Sequence, residues 1–279
     1  MKEKNREVMS EKDILKMEKK SLKKKHKQEL KEVKKEDGFF NRIRKSLIKD
    51  KINKKKEIKK EKHRVLNEPP KLYVDEEIGN AVTHGAGALF GIMALVLMIV
   101  FSNDGYQLMG AIVYGISIII LMLNSCLYHS FKSGSKVKRL WRRFDYLSIY
   151  LLIGGTFAPL FLSFLGGTLG IVLFCVQWGV ILGGCTIVSI FGPGRFKWLH
   201  FTLYFLIGWI GILFIPYFIN YNIKLMIWIL VGGVVYTLGM IPFAVMKKKR
   251  NSHLLWHFFV LAGCAIQWAG IFMEIYLNN

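Results

Sequence analysis

"NSHLLWHFFVLAGCAIQWAGIFMEIYL", residues 251–277, decides the fold. Between residues 254 and 277 it carries one charged side chain, Glu274, and a helix needs roughly 20 mostly apolar residues to cross the hydrocarbon core of a bilayer. Six further stretches meet that requirement, at about 82–101, 108–128, 145–165, 168–190, 198–218 and 225–246. The glycines and prolines within them (Gly154, Gly155, Pro159, Gly183, Gly184, Gly232, Gly233) are compatible with membrane helices, where they permit close packing or a kink. Linkers of a few residues make sequence neighbours antiparallel neighbours. The expectation is an all-α membrane protein, a seven-transmembrane helix bundle.

Composition conflicts with that expectation until the chain is divided. Of its 279 residues 52% are hydrophobic, yet the formal net charge is +21. Residues 1–70 hold 26 of the 40 Lys/Arg and 13 of the 19 Asp/Glu. The sequence therefore reads as a basic, partly helical or disordered cytoplasmic tail, 1–70, before a membrane domain, 71–279. Within the tail, Phe40, Ile43 and Leu47 fall at helical spacing in "FFNRIRKSLIKDKINKKKEIKK". That pattern suits a basic amphipathic helix on anionic inner-leaflet lipids, against the plainer reading of a solvated tail; no nucleic acid is expected. "NEPPK", residues 67–71, reads as the linker. Cys126, Cys175, Cys185 and Cys264 all lie in apolar runs without C-x-x-C spacing, so they read as buried packing residues.

Orientation follows from the short loops. The second loop holds Lys132, Lys136, Lys138, Arg139, Arg142 and Arg143, the fourth Arg195 and Lys197, and the sixth "KKKR" at 247–250. The first and third hold no basic residue, and the fifth only Lys224. The even-numbered loops and the N-terminus are thus expected in the cytoplasm of a plasma-membrane protein, with the C-terminus outside.

With that orientation, polar residues gather under the cytoplasmic face. His129 ends the second span, Asp145 opens the third, and His253 and His257 open the seventh, one helical turn apart. Ser125 lies one turn from His129 on the same face, about 6 Å deeper. Three imidazoles and a carboxylate from separate helices match the ligand set of a zinc site with a fourth position left for water. Each residue also has a plainer reading. The histidines could be interfacial side chains, Asp145 a helix-start carboxylate paired with Arg142 or Arg143, and Ser125 a packing residue bonded to its own helix. His84 and His200 share that side of the membrane, so position alone does not make a ligand.

The stretches "EEIGNAVTHGAGALFG", "NSCLYHS", "RRFDYLSIYLLIGGTFAP" and "HLLWHFF" together resemble the hemolysin III family, the bacterial branch of the progestin and adipoQ receptor superfamily. The resemblance covers residues 76–279 and leaves the tail aside. It implies a Zn2+ ion on His129, His253 and His257 near the cytoplasmic face. It puts Asp145 beside the water and gives Ser125 an auxiliary catalytic role. Glu77, Asn80 and His84, spaced three and four apart, are implied as outer support for the site. Distant relatives of the family include alkaline ceramidases. The implied activity is therefore zinc-dependent hydrolysis of a membrane lipid amide or ester, in membrane lipid homeostasis. Two alternatives stand beside it: a non-catalytic sensor with structural zinc, and a pore-forming hemolysin. The pore finds little support, because polar groups collect at one end instead of running through the spans.

Overall fold

The computed structural model describes residues 20–29, 38–245 and 249–278. All regular structure among them is helical. The rest of the tail, residues 1–19 and 30–37, lies outside the described set, as do residues 246–248 and the side chains of Phe39 and Phe40. The chain divides into two compact units, 1–62 and 63–279.

In the first unit residues 20–29 are helical, and helix α1 (Phe39–Leu66) begins here and ends in the second unit. It carries twelve Lys/Arg against three acids. Ile43 and Leu47 are exposed, whereas Ile48 and Asn41 are buried.

The second unit holds seven helical segments long and apolar enough to cross a membrane. They are α2 (Val74–Val100), α3 (Gly105–Ser130), α4 (Lys136–Pro159, continued by a π-helical turn Leu160–Leu165) and α5 (Gly167–Phe191). The fifth span is α6 (Lys197–Gly208), a 3-10 segment Ile210–Phe214 and α7 (Ile215–Tyr221). Helices α8 (Ile223–Val245) and α9 (Ser252–Ile271, with a π-helical turn Phe272–Leu277) complete the set. Large apolar side chains face outward on most spans: Leu89 is 70% exposed, Leu206 61% and Ile241 63%. Water would not sustain so continuous an apolar surface, and lipid requires it. This is a multi-pass membrane protein.

Two spans begin well before the apolar run that signals them. At 1.5 Å per residue the 27 residues of α2 rise about 40 Å, some 10 Å more than the hydrocarbon core. The excess is its acidic first turns, Asp75 to Glu77. Helix α4 starts at Lys136, where the Ser135 side chain accepts from the backbone N–H of Lys138 at 3.0 Å. Its basic stretch is therefore helical, and Asp145 lies more than two turns inside the helix instead of at its start. The break in the fifth span follows from "GWIGILFIP", where two glycines weaken the helix and Pro216 removes a backbone donor.

Helix α3 packs along both α2 and α4, α8 along α9, and α9 returns against α2 and α4. Small residues make this possible. A Cβ on Gly115 would stand 2.8 Å from the Leu95 backbone, and one on Gly155 would collide with Ser117 Oγ. Such contacts are how membrane helices gain van der Waals energy in the absence of a hydrophobic drive between them. The result brings the start of α2, the end of α3 and the start of α9 together.

Candidate metal centre

Three consecutive acids at the start of α2 organise the site. Successive helix residues point about 100° apart, so Asp75, Glu76 and Glu77 reach different neighbours. Asp75 meets Arg250 at 2.6 Å, with both side chains more than half exposed, so this pair contributes little. Glu76, 2% exposed, accepts the backbone N–H of His253 at 3.2 Å. That N–H needs a partner from elsewhere, because Asn251, in the left-handed region at φ 60°, makes no side-chain cap for α9. Glu77 divides its two oxygens: Oε2 accepts from His129 Nδ1 at 2.6 Å, and Oε1 pairs with Lys138 Nζ at 2.8 Å.

Lys138 is fully buried. Its ammonium also donates to the Phe131 carbonyl at 3.0 Å and lies 4.9 Å from the centre of the Tyr128 ring. A buried charge persists only when paired and hydrogen-bonded, and both conditions hold. One acidic dyad thus fastens α3, α4 and α9 to α2.

The Glu77 bond leaves the proton of His129 on Nδ1 and turns Nε2 inward. That Nε2 stands 3.3 Å from His253 Nε2. Together with His257, one ligand atom from each ring lies within 4.8 Å of the others, and all three residues are buried. The Nδ1 atoms of His253 and His257 are buried, with no hydrogen-bond partner among the described residues. Asn80 Nδ2 approaches His129 Nδ1 at 3.4 Å, and the His84 ring stacks on His257 with centroids 3.8 Å apart. This group of three histidines can hold a metal ion. His200 stands apart: its Nδ1 meets the Tyr150 hydroxyl at 2.9 Å in a separate buried cluster.

Ser125 and Asp145 meet on the other side of this group. The Ser125 hydroxyl faces the Asp145 carboxylate, and the Arg142 charge lies near it. Arg142 and Arg143 spend their Nη1 groups elsewhere, on the Asn67 and Glu68 carbonyls (3.0 and 3.4 Å) and on the Ser189 carbonyl (3.2 Å). Neither arginine forms an ion pair with Asp145 among the described residues. Asp145, Ser125, His84, His253 and His257 all line one cavity of ≈ 180 Å³, partly open to the surroundings. It runs between the helices through Leu121, Leu152, Phe205 and Val260 as far as Thr156 and Gln267. Pro70 lines it as well, so the segment read as a linker forms part of its wall. Asn67 holds that segment in place, its side chain bonding the Phe191 carbonyl and the Gly194 N–H.

Sequence reasoning named the histidines, Ser125 and Asp145, and the structure brings them to neighbouring walls of one site. It missed Glu76 and Lys138. Lys138 had been only one of six basic residues marking a cytoplasmic loop, and nothing local distinguishes it from Lys136 or Arg139.

The sequence profile described as Haemolysin-III related matches residues 72–268. The chain is similar to the Hemolysin-3 homolog of Bacillus subtilis (strain 168), 36% identical over 196 residues, 69% of this chain and 91% of that one. It is likewise similar to Hemolysin-3 of Bacillus cereus, 37% identical over 198 residues, 70% of this chain and 89% of the relative. A more distant likeness is to the human Monocyte to macrophage differentiation factor, 24% identical over 206 residues, 72% of this chain and 85% of that protein.

Proposed function

This chain belongs to the haemolysin-III-related family, and from that premise we propose that it is a zinc-dependent hydrolase of a membrane lipid amide or ester. The observation that carries the reading is the junction of a buried three-histidine group with a long, mainly apolar cavity. Two nitrogens bound to one tetrahedral zinc stand about 3.3–3.4 Å apart; His129 and His253 Nε2 are already 3.3 Å apart, and the three ligand atoms lie within 4.8 Å of one another. Imidazole donors from rigid helices, one ring held by a carboxylate, are the kind of set that zinc takes.

Zinc held there supplies Lewis acidity to a water and to the scissile carbonyl. The chain's own residues do the rest. Asp145 takes the proton of the attacking water as its oxygen bonds to the carbonyl carbon, and returns it to the leaving amine or alcohol as that bond breaks. Ser125 orients the Asp145 carboxylate, and once Asp145 holds the proton the Ser125 hydroxyl, at the cavity wall, turns to donate to the oxyanion. The apolar walls hold the acyl chain and keep bulk water away from the reacting carbonyl. The test is turnover of a ceramide and phospholipid panel by protein in nanodiscs, with and without a zinc chelator. Chelator-sensitive release of fatty acid is expected, and its absence across the panel overturns the hydrolase reading in favour of the sensor. A specific observation weighs against purely structural zinc: among the described residues the ligand group numbers three, with two of its rings on the cavity wall.

The basic loops support a cytoplasmic N-terminus and site, in the plasma membrane. Helix α1 is proposed to lie on anionic lipid, where each Lys or Arg contributes about 1 kcal/mol near the surface. Amide exchange along α1 in the full-length protein is therefore expected to slow several-fold when anionic lipid replaces zwitterionic lipid in the nanodisc. The effect should fade at ~1 M salt, where the Debye length falls to ~3 Å. Exchange indifferent to lipid charge contradicts the assignment.

A further inference from the structure

The far end of the cavity is not apolar. Thr156 on α4, Tyr236 on α8 and Gln267 on α9 line it there. Just behind them stand Tyr114, fully buried on α3, and Cys264, fully buried on α9. The Tyr114 hydroxyl faces Thr156, and the Tyr236 hydroxyl faces Cys264. Neither tyrosine hydroxyl makes a hydrogen bond of good geometry among the described residues, and both are buried. The Thr156 hydroxyl donates to the Leu152 carbonyl at 2.9 Å and keeps its lone pairs free to accept. Gln267 Nε2 is already committed to the Ile229 carbonyl at 3.2 Å.

A cavity built only for a hydrocarbon chain has no use for this group. Placing unpaired hydroxyls in a low-dielectric interior is costly, and proteins normally pair them. Packing does not require these hydroxyls, since phenylalanine fills nearly the same volume as tyrosine. The cluster carries no ionisable carboxylate, lysine or arginine, so it suits an uncharged partner.

Resting on the reading of this cavity as a lipid site, we infer that its far end is a subsite for a neutral oxygen, a hydroxyl or keto group, borne on the acyl chain itself. Helix rise sets its position. Thr156 lies eleven residues beyond Asp145 on α4, and Gln267 ten beyond His257 on α9, a depth of about 15 Å that corresponds to on the order of ten carbons. The favoured ligand is therefore a mid-chain-oxygenated lipid, with Tyr236 donating to the oxygen and, where that oxygen is a hydroxyl, Thr156 accepting from it.

The test measures binding of stearamide, stearamide hydroxylated at its tenth carbon, and stearamide hydroxylated at its second carbon. Full-length protein in nanodiscs is titrated by tryptophan fluorescence, since Trp209 and Trp256 line the cavity. One net hydrogen bond is worth roughly 5- to 10-fold in affinity, so the mid-chain alcohol should bind tighter than stearamide by about that factor. The second-carbon isomer should gain nothing from the subsite. Tyr236→Phe and Thr156→Val should bring the mid-chain alcohol down towards stearamide measured in the same variant, removing the preference between the two. Equal binding of all three amides in the wild type overturns the subsite and leaves the lipid cavity standing, with bridging water as the partner of these hydroxyls. A preference that survives both substitutions also overturns it. Failure of every amide to bind overturns the lipid reading and the subsite with it.

Discussion

Glu77→Gln is expected to lower stability sharply and to loosen metal by about 10- to 100-fold, the usual cost of losing a partner to a metal-bound histidine. The stability loss comes chiefly from Lys138. That ammonium is fully buried, and Glu77 is its only ion-pair partner among the described residues. Removing one member of a buried pair costs about 3–5 kcal/mol because the other is left charged and unpaired. The two effects separate in the double variant Glu77→Gln/Lys138→Met. With no charge stranded, most of the stability should return, whereas metal affinity should stay low because His129 has still lost the carboxylate that orients its ring. Thermal unfolding in detergent and competition with a graded chelator read the two quantities. Full metal affinity in both variants would show that Glu77 only holds helices together and does not position the ligand.

Asp145→Asn is expected to reduce lipid hydrolysis by about a thousandfold, within the range that a positioned general base contributes, while zinc content stays at about one per chain. The substitution is nearly isosteric and keeps a hydrogen-bond partner for Ser125, so the fold should tolerate it. Ser125→Ala should cost less, about tenfold, since it removes an orienting hydroxyl and leaves the carboxylate in the cavity. Fatty acid released per chain, measured beside metal content on the same preparation, tests both. Turnover that survives in Asp145→Asn contradicts the assigned mechanism.

The spans were legible because a lipid environment leaves a plain mark. Every outward residue must be apolar, so 20-residue runs stand out, and the breaks between them are polar, charged or glycine-rich. Helix ends were less legible. Residues 74–81 and 136–144 carry enough charged side chains to fall out of a hydropathy reading, yet they are helical and carry much of the site's support. The histidine group and Ser125 were legible as candidates because H-x-x-x-H and S-x-x-x-H each fix two side chains on one helix face by local geometry alone. Glu76 and Lys138 were not, because their roles come from contacts 177 and 61 positions away in sequence. The same holds for Pro70. As part of "NEPPK" it signals a chain break, and only tertiary packing makes it a wall of the cavity.

The central claim is that segments from α3 and α9 converge on one zinc ion. Metal analysis of the detergent-purified protein by mass spectrometry tests it most directly, with His129→Ala, His253→Ala and His257→Ala measured beside wild type. The account predicts about one zinc per chain in wild type and less than about a tenth of that in each variant, since two remaining imidazoles do not retain the ion through purification. Wild-type protein without metal, or zinc that persists in any of the three variants, would contradict it.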